Sequence, residues 1–274
     1  MHKNATDNGT FTDPLQHSES TPCYWINRAQ DDLRRDMMMR WLAVAKMRHS
    51  RIEALTPNSL PRFKILKHHR NTATIPEIAC VASHLKAVQQ AYDDGSPYAL
   101  ILEDDVRALY VYDYERIVGL APDDWETLQL HVSNPPVIDR LGKIYRTLGA
   151  LWQEWEKDNY SAGAYLINRR GMKKLIDLYC PADGRQDPID LSMIYAVNWV
   201  TSEFMLFKRT ASYTITLPLF VHDLTLESSI NPGKLPLYEK GLAAIERVSS
   251  GVRDDLNAQN AGHDYPFAVG TLDI

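Results

Sequence analysis

The chain has 274 residues, 45% of them hydrophobic, enough to bury a sizeable core in one large domain or two small ones. A net charge of −5 argues against a general nucleic-acid binder, and the basic stretches Arg62-Phe63-Lys64 and Lys67-His68-His69-Arg70 read as a solvated loop. Its three cysteines, Cys23, Cys80 and Cys180, are far apart and show no metal-ligand spacing, which favours reduced thiols and a cytoplasmic setting.

Residues 1–22 are polar, lack the apolar run of a secretory signal, and read as a mobile tail. A short strand follows at Tyr24 to Asn27, then a helix from about Asp31 to Arg48 with apolar positions at Met37, Trp41 and Val44. The basic side chains of that helix suit a nucleotide, solvent or the surface of a membrane, contacted peripherally. Arg51 to Leu55 predicts a second strand, which Thr56-Pro57-Asn58-Ser59 stops. Residues 60–74 have no clean period and predict a loop over the active face. Ile75 to Val88 then reads as a helix with Pro76 in its first turn and Ser83 and His84 at its middle.

The most telling stretch comes next. Tyr98-Ala99-Leu100-Ile101-Leu102 is an apolar strand that ends in three consecutive carboxylates, Glu103, Asp104 and Asp105. Adjacent anions at the mouth of a buried strand repel one another, and a cation, a basic partner or full solvation must offset the cost. If strand geometry persists, Glu103 and Asp105 project to one side and offer two oxygens to a hard divalent cation. Asp104 then points the other way, free for a substrate hydroxyl. A solvated turn is the competing reading.

The second half is less regular. Trp125 to His131 predicts a strand, Asn134-Pro135-Pro136 a break forming a rim loop, and Ile138 to Lys157 a helix whose Trp152 and Trp155 share a face. Those rings serve either a core or the stacking of a ligand. A strand at Ala164 to Ile167, a helix from Gly171, an apolar segment after Asp190 and the strand Leu219-Phe220-Val221 follow. No segment reaches the ~18 apolar residues of a membrane span. Alternating strands and helices predict an α/β class: a single domain over 23–250, an open twisted and mostly parallel sheet, helices on both faces, and a frayed tail over 251–274. In such sheets ligands bind beyond the carboxyl ends of the strands, where the acids fall.

Five pieces occur in an order that resembles glycosyltransferase family 25, which includes lipopolysaccharide and collagen galactosyltransferases. They are Tyr24-Trp25-Ile26-Asn27-Arg28 with Asp32-Leu33-Arg34-Arg35; Ser83-His84 followed by Leu102-Glu103-Asp104-Asp105; Asn159 to Gly171; Pro188-Ile189-Asp190; and Pro218 to His222 with Ser229-Ile230. Arg28-Ala29 departs from the family's usual Leu-Asp at that turn. The resemblance implies a GT-A-like fold and an inverting transfer of a hexose, galactose or glucose, from a uridine diphosphate (UDP) sugar to a hydroxyl of a glycan or glycoconjugate. It further implies Mn²⁺ or Mg²⁺ held by Glu103, Asp105 and His222, with histidine favouring Mn²⁺. Asn27, Arg28, Ser83, His84 and Asp104 would line the donor. Asp190 is the first candidate for the base, with Asp187, Glu203 and Asp223 as alternatives and a helix-capping role as its bland reading. Two rival classes are a metal-dependent phosphohydrolase or nucleotidyltransferase, and a non-catalytic descendant that binds a glycan or a partner protein.

Overall fold

The computed structural model describes residues 21–60, 65–67, 73–180, 189–191, 201–225, 233–258 and 267–270. In chain order these form β1 (Cys23–Asn27), α1 (Asp32–Val44), β2 (His49–Glu53), β3 (Ile65–Lys67), α2 (Ile75–Asp93), β4 (Tyr98–Glu103), β5 (Val106–Ala108), β6 (Val111–Tyr112), α3 (Tyr114–Gly119), β7 (Thr127–Gln129) and α4 (Pro135–Leu148). There follow β8 (Trp152–Glu154), β9 (Ala164–Asn168), α5 (Arg169–Tyr179), β10 (Ile189–Leu191), α6 (Ser202–Leu206), β11 (Ser212–Ile215), β12 (Phe220–His222), α7 (Leu235–Ala258) and β13 (Ala268–Gly270).

Seven strands make one sheet in the order β2-β1-β4-β9-β7-β11-β8. The α/β class read from the sequence stands, but the sheet is mixed: three pairings are parallel and three antiparallel. The antiparallel β9 sits between β4 and β7 and runs in the same direction as the edge strand β8, from which residues 155–163 lead to it.

Side-chain alternation sorts the sheet's two faces. Cys23, Trp25, Leu100, Leu102, Ala164 and Leu166 enter one core with Met38 and Trp41 of α1, Ile138 of α4 and Ile245 of α7. Tyr24, Ile26, Ala99, Ile101, Tyr165 and Ile167 enter the other with Leu85 of α2, Met172 of α5 and Met205 of α6. Thr74 caps α2 reciprocally: its side chain accepts from the Glu77 backbone and the Glu77 carboxylate takes the Thr74 amide at 2.7 Å.

Several expectations are corrected. The buried face of α1 is Arg34, Met38, Trp41 and Leu42, so Val44 lies exposed and an arginine takes a core-facing position. The helix expected through Lys157 ends at Leu148 because Gly149 adopts φ +62°, and Trp152 then starts β8 against β11. Trp152 and Trp155 consequently pack on opposite cores and share no face. Pro135 and Pro136, expected in a rim loop, open α4, where a missing amide costs nothing. Thr21 is fully buried and Pro22 accepts the Leu100 amide, so packing begins before residue 23. Residues 251–274 are not a frayed tail throughout: α7 runs to Ala258 with Val252 in the core, and β13 pairs with β6. Among the described residues no helix is long and apolar enough to cross a membrane.

Candidate active site

Alternation decides where the three acids go. Leu102 faces the core beneath α1, so Glu103 turns toward α2. β4 stops there, and Asp104 and Asp105 occupy a turn. The expected common projection of Glu103 and Asp105 along a continuing strand is therefore replaced by a different grouping. Asp104 and Asp105 share Arg34, at 2.8 and 3.4 Å, while Glu103 accepts from His84 Nε2 at 2.9 Å.

Asp104 is held from both sides. Its Oδ2 accepts from Asn27 Nδ2 at 2.7 Å and its Oδ1 from Arg34 at 2.8 Å, and Arg51 donates to Asn27 Oδ1 at 2.8 Å. Asn27, Arg34 and Asp104 are all buried, so this network fixes the acid turn onto β1 and α1. Ser83 back-bonds to Ala79 at 2.7 Å and accepts the Leu55 amide at 2.9 Å, tying α2 to the segment after β2. Arg28 is turned onto Asp31 at 2.6 Å. All five residues expected at the donor thus make polar contacts within the protein, His84 with Glu103.

Asp105 is in the opposite condition. The antiparallel ribbon of β5 and β12 sets His222 against Val106, and Asp223 donates its amide to the Asp105 carbonyl at 2.8 Å. Asp105 Oδ1 and His222 Nδ1 are both buried without a hydrogen-bond partner among the described residues. Around His222 stand the His131 ring, edge-on at 4.5 Å, and the Tyr238 ring at 3.9 Å. His131 Nδ1 meets Ser161 Oγ at 2.8 Å, and Ser161 holds φ +112° while donating its amide to Glu203 Oε1 at 2.8 Å. A non-glycine residue in that conformation stores roughly 1–3 kcal/mol, which the surrounding bonds must hold.

Electrostatics separate the acids. Burial and then the Glu103 charge push the Asp105 carboxyl up to about 7, against the pull of Arg34. Burial opposes ionisation of Glu103 too, yet the His84 hydrogen bond and the neighbouring His222 and Arg34 hold it below the usual range. Burial lowers His222 to about 4, so its imidazole is neutral at pH 7. A carboxylate with a buried free oxygen and a neutral imidazole with an open nitrogen are donor types that suit a divalent ion, and Glu103 is a second carboxylate on the same turn. Among the described residues the three ligand atoms that come within 4.8 Å of one another belong to Cys80, His84 and Glu103, and not to the set Glu103, Asp105 and His222 expected from the sequence.

Asp190 lies in β10, in register with Leu66, and its side chain is outside the described residues. Asp187, Ser229-Ile230 and the basic stretch within 62–70, apart from the Lys67 backbone, also lie outside them. Asp223 is engaged by Thr225 at 2.6 Å. Sequence reasoning passed over Arg34, Cys80, His131, Tyr165 and Tyr238 as site residues. Only the Cys80–His84 spacing of one helical turn offered a signal.

Comparison with known proteins agrees with the resemblance read from the motifs. Residues 20–114 match the model of glycosyltransferase family 25 (LPS biosynthesis protein). The lacto-N-neotetraose biosynthesis glycosyltransferase LgtB of Neisseria meningitidis serogroup B is 31% identical over 136 residues, 43% of this chain and 45% of that protein. LgtE of the same organism is 27% identical over 145 residues, 48% of this chain and 47% of that protein. The match thus spans less than half the length of these relatives. Among solved structures, a glycosyltransferase involved in glycosylation of the PBCV-1 major capsid overlaps 81% of this chain and 98% of its own at 10% identity and a TM-score of 0.38.

Proposed function

We propose that the protein is a metal-dependent inverting glycosyltransferase that moves a hexose from a UDP-sugar to a hydroxyl of a glycan or glycoconjugate in lipopolysaccharide-type biosynthesis. The observation that supports this reading is the pair of buried, unpartnered atoms, Asp105 Oδ1 and His222 Nδ1, on two segments that the β5–β12 ribbon brings side by side. What a divalent ion supplies there is positive charge for the diphosphate as it departs. Asp105 and His222 would hold it, with Glu103 beside them. Asn27, Arg34 and Asp104 fix the turn that carries Asp105. Arg34 also limits the negative potential that would repel a diphosphate.

The acceptor hydroxyl must lose a proton, and Asp190 is the first candidate to take it. Glu203 is the alternative within the described residues: it lies on α6 and is fixed by the Ser161 amide at 2.8 Å.

The test is a screen of nucleotide sugars with Mn²⁺, with mass spectrometry of transfer and of slow donor hydrolysis. Sugar transfer from UDP-galactose or UDP-glucose is the expected outcome. Tight binding of cytidine or guanosine sugars alone overturns the donor assignment. Phosphate release without transfer favours the hydrolase class, and Mn²⁺-dependent binding without turnover favours a non-catalytic glycan binder.

A further inference from the structure

We propose that Cys80, His84 and Glu103 form a second cation site, one that takes a soft divalent ion of the zinc class on the α2 side of the acid turn. Cys80 and His84 stand one turn apart on α2 and so present Sγ and Nε2 from the same side of the helix, while Glu103 reaches them from the end of β4. Their three ligand atoms lie within 4.8 Å of one another. A tetrahedral ion with bonds of about 2.3 Å to sulfur and about 2.0 Å to nitrogen and oxygen separates its ligands by roughly 3.3–3.5 Å. Nε2 and Oε1 are 2.9 Å apart and Sγ and Oε1 3.8 Å, so small side-chain rotations bring the set to that spacing without moving α2 or β4.

The surroundings are those of a ligand set. His84 Nδ1 meets the Tyr165 hydroxyl at 3.3 Å, which orients the ring and leaves Nε2 for the ion. Ser202 Oγ lies 3.4 Å from the sulfur. His84 is fully buried, whereas the Glu103 side chain keeps 28% of its surface exposed, an entry path from solvent. A thiolate, a neutral imidazole and a carboxylate bring two negative charges to one dication, and the single thiol proton goes to solvent. Asp105 and His222 offer oxygen and nitrogen only, so the two sites differ in chemistry: sulfur here selects a softer ion than Mn²⁺. The proposal stands whether or not the protein transfers sugar.

Cobalt(II) is the probe. The reduced, chelator-treated full chain is titrated with Co²⁺, and the near-ultraviolet thiolate-to-cobalt charge-transfer band is followed together with the visible bands of four-coordinate cobalt. The expected result is a saturable charge-transfer band that Zn²⁺ abolishes, that Cys80→Ser lacks and that Asp105→Asn retains. Glu103→Gln, which keeps shape at a partly exposed position, should weaken cobalt affinity about tenfold or more. Absence of the band in the natural protein overturns the site. So does a band that survives Cys80→Ser, which assigns it to Cys23 or Cys180, and so does unchanged affinity in Glu103→Gln.

Discussion

Replacing Asp105 by Asn separates a metal-binding carboxylate from a merely crowded one. The folded protein raises the Asp105 carboxyl from 3.8 to about 7, so it holds that proton more tightly than the unfolded chain does. Stability is then greatest below the unfolded value and falls as pH rises from about 4 to about 7. A net shift of about three units, the pull of Arg34 at 3.4 Å included, corresponds to roughly 4 kcal/mol. Asp105→Asn removes this penalty. Urea unfolding with chelator present should show the variant more stable by a few kcal/mol at pH 8, with the gain shrinking toward zero at pH 4. Adding Mn²⁺ should reverse the order, since ligand binding stabilises only the natural protein, by RT ln(1 + [L]/Kd). Transfer by the variant should drop about 10²–10³-fold. A variant that keeps full transfer, or that is less stable than the natural protein at pH 8 without metal, refutes the reasoning.

Three further outcomes follow from packing and charge. Arg34→Met should cost about 3–5 kcal/mol in urea unfolding at pH 7, because Asp104 and Asp105 lose the buried cation they share; a loss below 1 kcal/mol would mean that the turn is held by Asn27 alone. Gly142→Ala places a Cβ 2.5 Å from Val248 Cγ2 where α4 meets α7, and should lower stability by roughly 1–3 kcal/mol, read as a lower melting temperature. Glu126 accepts from Lys174 at 2.9 Å, the Ala211 amide at 2.8 Å and Arg170 at 3.1 Å; burial opposes its ionisation, but these contacts outweigh it and hold the carboxyl below its ordinary value of 4.5. Its stabilisation is thus present above pH ~4.5 and lost as pH falls through the lowered value, so Glu126→Gln should cost about 1.5–3 kcal/mol at pH 7 and little at pH 3, measured by denaturant titration at both.

The elements carrying strong local signals were legible. The apolar run into Glu103, the Pro76 helix start and the Leu219-Phe220-Val221 strand each depend on nearby residues and fall where expected. What failed depended on partners distant in sequence. Trp152 and Trp155 fit a helical stripe until Gly149 turns left-handed and β11 offers β8 a pairing edge. The split of the acids between Arg34 and His84 could not be read from the triplet alone. It follows from where β4 stops, and a basic residue on the inward face of α1 is indistinguishable in one sequence from a solvated one. The spacing among the three cysteines carries no ligand pattern, whereas Cys80 and His84 stand one helical turn apart on α2.

On the proposed metal-site reading, the two-stranded ribbon of β5 and β12 also sets when Asp105 and His222 come together. Synthesis proceeds from the amino end, so Glu103, Asp104 and Asp105 leave the ribosome long before His222 does. Until β12 docks, the nascent chain has the carboxylates and Arg34 but not the imidazole set against Val106. Closing that contact spans roughly half the chain, a slow and entropically costly step compared with the local pairing of helices and turns. A cation captured by Asp105 and His222 would reward this late docking directly, acting as a clasp on nearly finished chains. Metal supply during refolding should therefore change the yield of active protein more than it changes the rate at which the sheet around β1 and β4 forms.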